Sequence, residues 1–210
     1  MSTDPLQNPD VSKLEGVNLD WSKQDGLIPA IVQDVRNGRV LMLGYMNLDA
    51  LAATRSLGKV TFFSRSKQRI WTKGESSGNF LQLVSIQPDC DSDTLLIQAL
   101  PQGPTCHLQR ASCFAAAPAN FLADLDQLVE TRERERPESS YTTSLFESGL
   151  RRIAQKVGEE GVETSLAAVV QDDEALLGEA ADLVFHLLVL LRARGLSLAD
   201  CVRVLEQRHR

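Results

Sequence analysis

The sequence predicts two domains: an N-terminal, mainly β (α+β) domain and a C-terminal all-α helical bundle. Three observations carry this. Short β-rich runs punctuated by Gly, Pro and Asn fill Leu27 to Phe114. Apolar residues recur with helical period from Phe121 onward. Between them lies Ala115-Ala-Ala-Pro-Ala, a short linker. The domains follow as 1–115, with residues 1–15 as a loose polar leader, and 116–210.

The elements read in order. Ile28–Val35, then Asn37-Gly38, then Val40–Tyr45 predict a hairpin, because Asn-Gly accepts the positive φ angles of a tight turn. Asn47–Leu57 predicts a short helix ending at Gly58. Strand-like runs follow at Val60–Ser64, Phe80–Gln87 and Thr94–Ala99. In the second half, Phe121–Arg136 has apolar residues at 121, 122, 125, 128 and 129, and Pro137 begins a Ser/Thr-rich loop to Ser144. Leu145–Gln171 and Glu174–Arg194 predict two long helices, the latter stopping at Gly195. Ser197 is the expected N-cap of a last helix, Leu198–Arg208, with Cys201 expected as a buried thiol on it.

Charge narrows the function classes. Residues 1–114 carry 11 basic and 11 acidic side chains, whereas residues 115–210 carry 11 and 17. An acidic second half argues against nucleic-acid binding, which needs a basic face to displace counterions. If it handles phosphates, metal cations must bridge the repulsion. The first twenty residues lack the basic and apolar regions of a secretory signal, and Leu183–Leu191 is too short to span a membrane. Four cysteines without an export signal suggest a reducing cytoplasm, where clustered thiols bind metal more often than they pair.

Cys90, Cys106 and Cys113 are spaced 16 and 7 apart, unlike the paired knuckles of a structural zinc site. Three thiolates would leave one coordination position for water, the arrangement of a catalytic zinc. Three inert buried cysteines are the alternative. The run Asp89-Cys90-Asp91-Ser92-Asp93 would, on an extended strand, put its carboxylates on one face and Cys90 on the other. Such carboxylates repel unless a hard cation such as Mg²⁺ neutralises them; a solvated acidic turn is the alternative, but it does not account for the embedded cysteine. An EF-hand loop fails, because its sixth position is Thr94 and its twelfth is Leu100. His107 adjoins Cys106, within reach of a metal-bound water as acid or base. The run Trp71–Asn79 mixes an aromatic, Lys73, small hydroxyls and two glycines, which suits a loop cradling a phosphorylated, base-bearing ligand.

Taken together, Trp71–Asn79, Asp89–Asp93, Cys106-His107 and Cys113-Phe114, with Val40–Asn47, resemble phosphoribosyl-AMP cyclohydrolase over about Gly26 to Phe114. Ser76 stands where that family commonly has threonine. The resemblance implies Zn²⁺ on Cys90, Cys106 and Cys113, and Mg²⁺ on Asp89, Asp91 and Asp93. It implies a homodimer whose subunits share the zinc. It also implies His107 and Lys73 as catalytic groups, with Trp71, Lys73, Gly74, Glu75, Ser77 and Gly78 binding substrate. The reaction implied is attack of zinc-activated water on C6 of the substrate's adenine, which a second ribose phosphate on N1 makes electrophilic, so that N1–C6 opens.

In the long helix Lys156, Glu159, Glu160 and Glu163 fall on one face, beside apolar Leu150, Ile153, Val157, Val162, Leu166 and Val169. Glu179, Asp182 and His186 share a face of the next helix. On either helix alone this would be ordinary surface charge. Facing carboxylates inside a bundle are tolerable chiefly when they hold a divalent metal. Ser140–Leu145, Lys156–Glu163 and Glu179–Leu183 resemble phosphoribosyl-ATP pyrophosphohydrolase, of the all-α nucleotide pyrophosphohydrolase type, from about Phe121 onward. The resemblance implies Mg²⁺ on Glu159, Glu160, Glu163, Glu179 and Asp182, Glu163 as the catalytic carboxylate, Lys156 on phosphate, and His186 in a structural role.

The two resemblances belong to consecutive steps of histidine biosynthesis. Two other readings stand beside them: a general nucleoside triphosphate pyrophosphatase with a base-recognising zinc domain, and a non-enzymatic zinc-stapled interaction protein.

Overall fold

The computed structural model describes residues 10, 18–23 and 25–209 and divides them into two compact units, Met1–Asn120 and Phe121–Arg210. Of the leader 1–15 only Asp10 lies within the described residues, where its N–H donates to the Val84 carbonyl at 2.8 Å.

The first unit is built on a four-stranded sheet in the order β2-β1-β6-β5, from β1 (Ile28–Asp34), β2 (Val40–Met46), β5 (Leu81–Pro88) and β6 (Leu95–Pro101). The β1–β6 pair is parallel and the other two pairs are antiparallel. The burial of β1 alternates strictly, as one core-facing sheet surface requires, and Ile28, Ala30 and Val32 are fully buried. Helix α1 (Leu48–Leu57) is capped by the Asn47 side chain accepting from the Ala50 N–H, and it ends in left-handed Gly58. Buried Thr54 ties α1 to β3 (Thr61–Ser64): its hydroxyl accepts from the Thr61 N–H at 2.9 Å. Strand β3 pairs with β4 (Arg69–Thr72), setting Phe62 opposite Trp71 with ring centroids 5.4 Å apart.

Strand β4 is an addition to the sequence reading, which treats Trp71–Asn79 wholly as loop. Trp71 and Thr72 belong to the strand, and the loop starts at Lys73. A second correction concerns Asp89–Asp93. These residues form a turn with Ser92 at φ 61°, not an extended strand, and the turn connects β5 to β6. Its geometry comes from Asp89, whose side chain accepts from the N–H groups of Asp93 and Thr94, a local bond that competes with strand pairing.

The second unit holds α2 (Phe121–Glu135), α3 (Tyr141–Ser148), α4 (Leu150–Val170), α5 (Asp173–Ala193) and α6 (Leu198–Arg208). The single helix expected over Leu145–Gln171 is two. Gly149 adopts φ 83° and ψ 166°, which only glycine takes readily, and the chain turns there between α3 and α4. Apolar periodicity continues through the break and cannot reveal it. The core gathers Val129, Leu145, Phe146, Ile153, Leu188 and Val189. Buried Asp126 of α2 takes Arg192 of α5 at 2.9 Å and the Leu198 N–H at 3.3 Å, pinning three helices together. Ser197 caps α6 through a reciprocal capping box with Asp200. Cys201 is half-buried rather than buried. Among the described residues no helix is long and apolar enough to cross a membrane.

Candidate active sites

In the first unit the residues after β6 fold back over β2. The Ser112 hydroxyl donates to the Val40 carbonyl at 2.7 Å and accepts from the Phe114 N–H, while the Cys113 N–H donates to the Leu41 carbonyl. This stitching sets Cys113 beside buried Cys106. The Cys106 sulfur accepts from the Leu108 N–H at 3.5 Å and lies 3.9 Å from His107 Nδ1. Burial and the adjoining Cys106 push the Cys113 thiol up. Lys73 lies near both sulfurs, and burial pushes its ammonium down.

Cys106, Cys113 and His107 line a cavity of about 510 Å³ together with Trp71, Lys73, Gly74, Glu75 and Ser77. Gly78 is not among its lining residues. The cavity also takes in Asn79, within the expected loop, and Ser64, Lys67, Arg69, Thr105 and Gln109, which the sequence reading missed. Lys67 and Arg69 precede Trp71 on the β3–β4 hairpin, so recognising that hairpin would have found them. Arg69 donates to Glu75 at 2.6 Å, which fixes the mouth of the Lys73 loop. Gly74 holds φ 93°, and an added Cβ would fall 2.5 Å from the Asn79 carbonyl oxygen. Gly74→Ala is therefore expected to destabilise the first unit by about 1–3 kcal/mol, read as a lower urea midpoint for that unit.

The structure does not bring Cys90 to the other two cysteines: among the described residues the three form no common ligand group. Cys90 sits exposed on the β5–β6 turn. On that turn Asp89, Asp91 and Asp93 do converge, each offering an oxygen within 4.8 Å of the others. Lys23 reaches into them, its Nζ 2.8 Å from Oδ2 of both Asp91 and Asp93.

In the second unit α4 and α5 face one another. Glu160, Glu179 and Asp182 place carboxylate oxygens within 4.8 Å of one another. Glu163 adjoins them, and burial together with Glu160 and Glu179 pushes its carboxyl up. Lys156 donates to buried Glu160 at 2.6 Å, which holds that carboxyl below its ordinary range. Glu159 turns aside to Lys156, Gln155 and Arg152 and is not in the three-carboxylate group. His186 is buried: its Nδ1 donates to the Asp182 carbonyl at 2.9 Å and lies 3.6 Å from Glu160. His186 Nε2 pairs with the Tyr141 hydroxyl at 3.1 Å. Tyr141→Phe strands that nitrogen and is expected to cost the helical unit about 1 kcal/mol, measurable by thermal unfolding.

Comparison with known proteins agrees with this division. Residues 42–115 match the family model of phosphoribosyl-AMP cyclohydrolase, and residues 122–209 match that of phosphoribosyl-ATP pyrophosphohydrolase. A histidine biosynthesis bifunctional protein HisIE from Xanthomonas axonopodis pv. citri (strain 306) is 72% identical, over 91% of this chain and 93% of that protein. The HisIE protein of Escherichia coli (strain K12) is 59% identical, over 91% of this chain and 95% of its own length. That of Shewanella oneidensis is 56% identical, over 100% and 97%. The chain belongs to the bifunctional histidine-biosynthesis family that joins a phosphoribosyl-AMP cyclohydrolase to a phosphoribosyl-ATP pyrophosphohydrolase.

Proposed function

We propose that residues 116–210 release pyrophosphate from phosphoribosyl-ATP with Mg²⁺, and that residues 1–115 then open the N1–C6 bond of phosphoribosyl-AMP with Zn²⁺. The observation that carries this is the separation of two chemically distinct clusters: soft thiols with His107 in one unit, hard carboxylates in the other. Family membership and its two activities leave the general pyrophosphatase and the zinc-stapled interaction protein without support.

The thiol pair suits zinc, because two soft sulfur donors adjoin on one cavity. Zinc held there supplies Lewis acidity that makes water a nucleophile near neutral pH. His107 adjoins Cys106 and relays the proton from water toward the departing ring nitrogen. Trp71 offers a face for the base. The substrate carries two phosphates, and the cavity carries two groups of cations: Lys73 near the thiols, and Lys67 with Arg69 on the hairpin. The third thiol, Cys90, comes from a second copy of the chain, which is why it lies apart from the pair within one. Exposed apolar side chains in the helical unit, with Val162 at 60%, Leu166 at 54% and Val169 at 81%, also support a homodimer. A monomeric mass in light scattering contradicts that.

In the helical unit Glu160, Glu179 and Asp182 would hold Mg²⁺, with Glu163 beside them. Bound there, Mg²⁺ would supply positive charge to offset the triphosphate. Glu163, the carboxyl pushed upward, takes the proton of the attacking water, and Lys156 contacts phosphate. Four unpaired cysteines fit a reducing cytoplasm.

The test supplies purified protein with phosphoribosyl-ATP, Mg²⁺ and Zn²⁺ and identifies the products by mass. Pyrophosphate together with the ring-opened formimino product is expected. Phosphoribosyl-AMP accumulating unopened in the zinc-loaded protein removes the cyclohydrolase assignment, and intact substrate removes the pyrophosphohydrolase assignment.

A further inference from the structure

We propose that Lys23 is a built-in cation of the Asp89–Asp91–Asp93 turn, and that a divalent ion binds this turn only by displacing it. The inference rests on the reading of these carboxylates as a Mg²⁺ site. Their donor set fits: three hard oxygens from three side chains lie within 4.8 Å of one another. The Lys23 ammonium already sits there, 2.8 Å from Oδ2 of Asp91 and 2.8 Å from Oδ2 of Asp93. Both carboxylates belong to the group of three that could hold a cation. An ammonium and a divalent ion on the same oxygens would stand a few ångströms apart and repel strongly.

The position of Lys23 is prepared by its own segment. The Asp20 N–H donates to the Ser92 carbonyl at 2.8 Å, joining the segment to the acidic turn. The Ser22 N–H and hydroxyl donate to the Asp20 carboxylate at 3.0 and 2.6 Å. Leu19 and Trp21 pack against the core, and the Gly26 N–H closes the segment on the Trp21 carbonyl at 2.9 Å. The backbone holds position without the lysine, while the Lys23 side chain is 43% exposed and its flexible stem can swing into water. Displacement therefore costs the ion pairs and leaves the anchor in place. The turn also carries Cys90, so exchange of a compact ammonium for a metal acts one residue away from a zinc-ligand candidate.

A competitor held by two exposed ion pairs lowers apparent metal affinity by the fraction of time it occupies the site, about five- to thirtyfold here. The test titrates zinc-loaded, full-length protein with Mn²⁺ and follows free Mn²⁺ by electron paramagnetic resonance. The class of sites lost in Asp91→Asn identifies the turn. In Lys23→Met that class is expected to tighten five- to thirtyfold, and in Lys23→Arg to stay within about threefold of the parent. A second readout separates displacement from a mere change of local charge. Acetylation of Lys23, followed by mass spectrometry of the parent protein, is expected to quicken severalfold when Mn²⁺ fills the site. Equal or weaker binding by Lys23→Met, or unchanged acetylation at saturating Mn²⁺, overturns the proposal. Absence of the Asp91-dependent class from both the parent and Lys23→Met defeats the underlying metal reading, and the proposal falls with it.

Discussion

Replacing Cys106 with alanine is expected to cut ring opening at least about a hundredfold, while pyrophosphate release stays within about twofold of the parent. Cys106 is the buried member of the thiol pair, 6% exposed, oriented by the Leu108 N–H and seated against the substrate cavity. Its removal leaves Cys113 as the only thiol of this chain on the cavity wall and lowers zinc content with activity. Alanine is smaller than cysteine and meets no clash, and the Ser112 bonds that anchor the loop remain. The loss is therefore chemical rather than structural. Turnover of supplied phosphoribosyl-AMP, zinc per chain and pyrophosphate release form the measurement. Equal loss of both activities would indicate unfolding or a single shared site.

The reciprocal substitution is Asp182→Asn, expected to lower pyrophosphate release at least about a hundredfold and to leave ring opening of supplied phosphoribosyl-AMP unchanged. Asparagine keeps the size of the side chain and removes the charge that joins Glu160 and Glu179 in the cluster. The bond that Asp182 gives the fold is made by its backbone carbonyl, to buried His186, and survives the change. Stability should therefore move little. The outcome is read with both substrates on the same preparation. Retained pyrophosphate release at saturating Mg²⁺ would take Asp182 out of the site.

Much of this was legible in the sequence, for physical reasons that can be named. The change from strand-like runs to a 3.6-residue period marks the passage from sheet to helices. Gly58 and Ser197 stand at the helix ends where the sequence reading put them. The carboxylates of α4 and α5 follow from i, i+3 and i+4 spacing, and three of them do meet across the helix pair. What the sequence did not yield depends on contacts between distant residues. Strand β4 is short and alternates poorly, so only its pairing with β3 defines it. The Asp89–Asp93 turn is shaped by side-chain bonds to backbone, which alternation cannot express. Lys23 lies 66 residues before Asp89, and nothing in spacing joins them. Spacing is equally silent on which copy of a chain supplies a ligand, so Cys90 could be grouped with Cys106 and Cys113 without any sign of their separation. The apolar stripe Val162–Leu166–Val169, read from the sequence as an apolar surface beside the carboxylates, lies open in the single chain.

The central claim is that two separable sites, one in each unit, act in succession. Mixing Cys106→Ala protein with Asp182→Asn protein, and supplying only phosphoribosyl-ATP, tests it most directly. Each variant alone should stop, the first at phosphoribosyl-AMP and the second at its substrate. The mixture should carry phosphoribosyl-ATP through to the ring-opened product, with pyrophosphate released first. A mixture that halts at phosphoribosyl-AMP, although Asp182→Asn protein opens the ring of that compound when it is supplied directly, would contradict two sites working in sequence through a released intermediate.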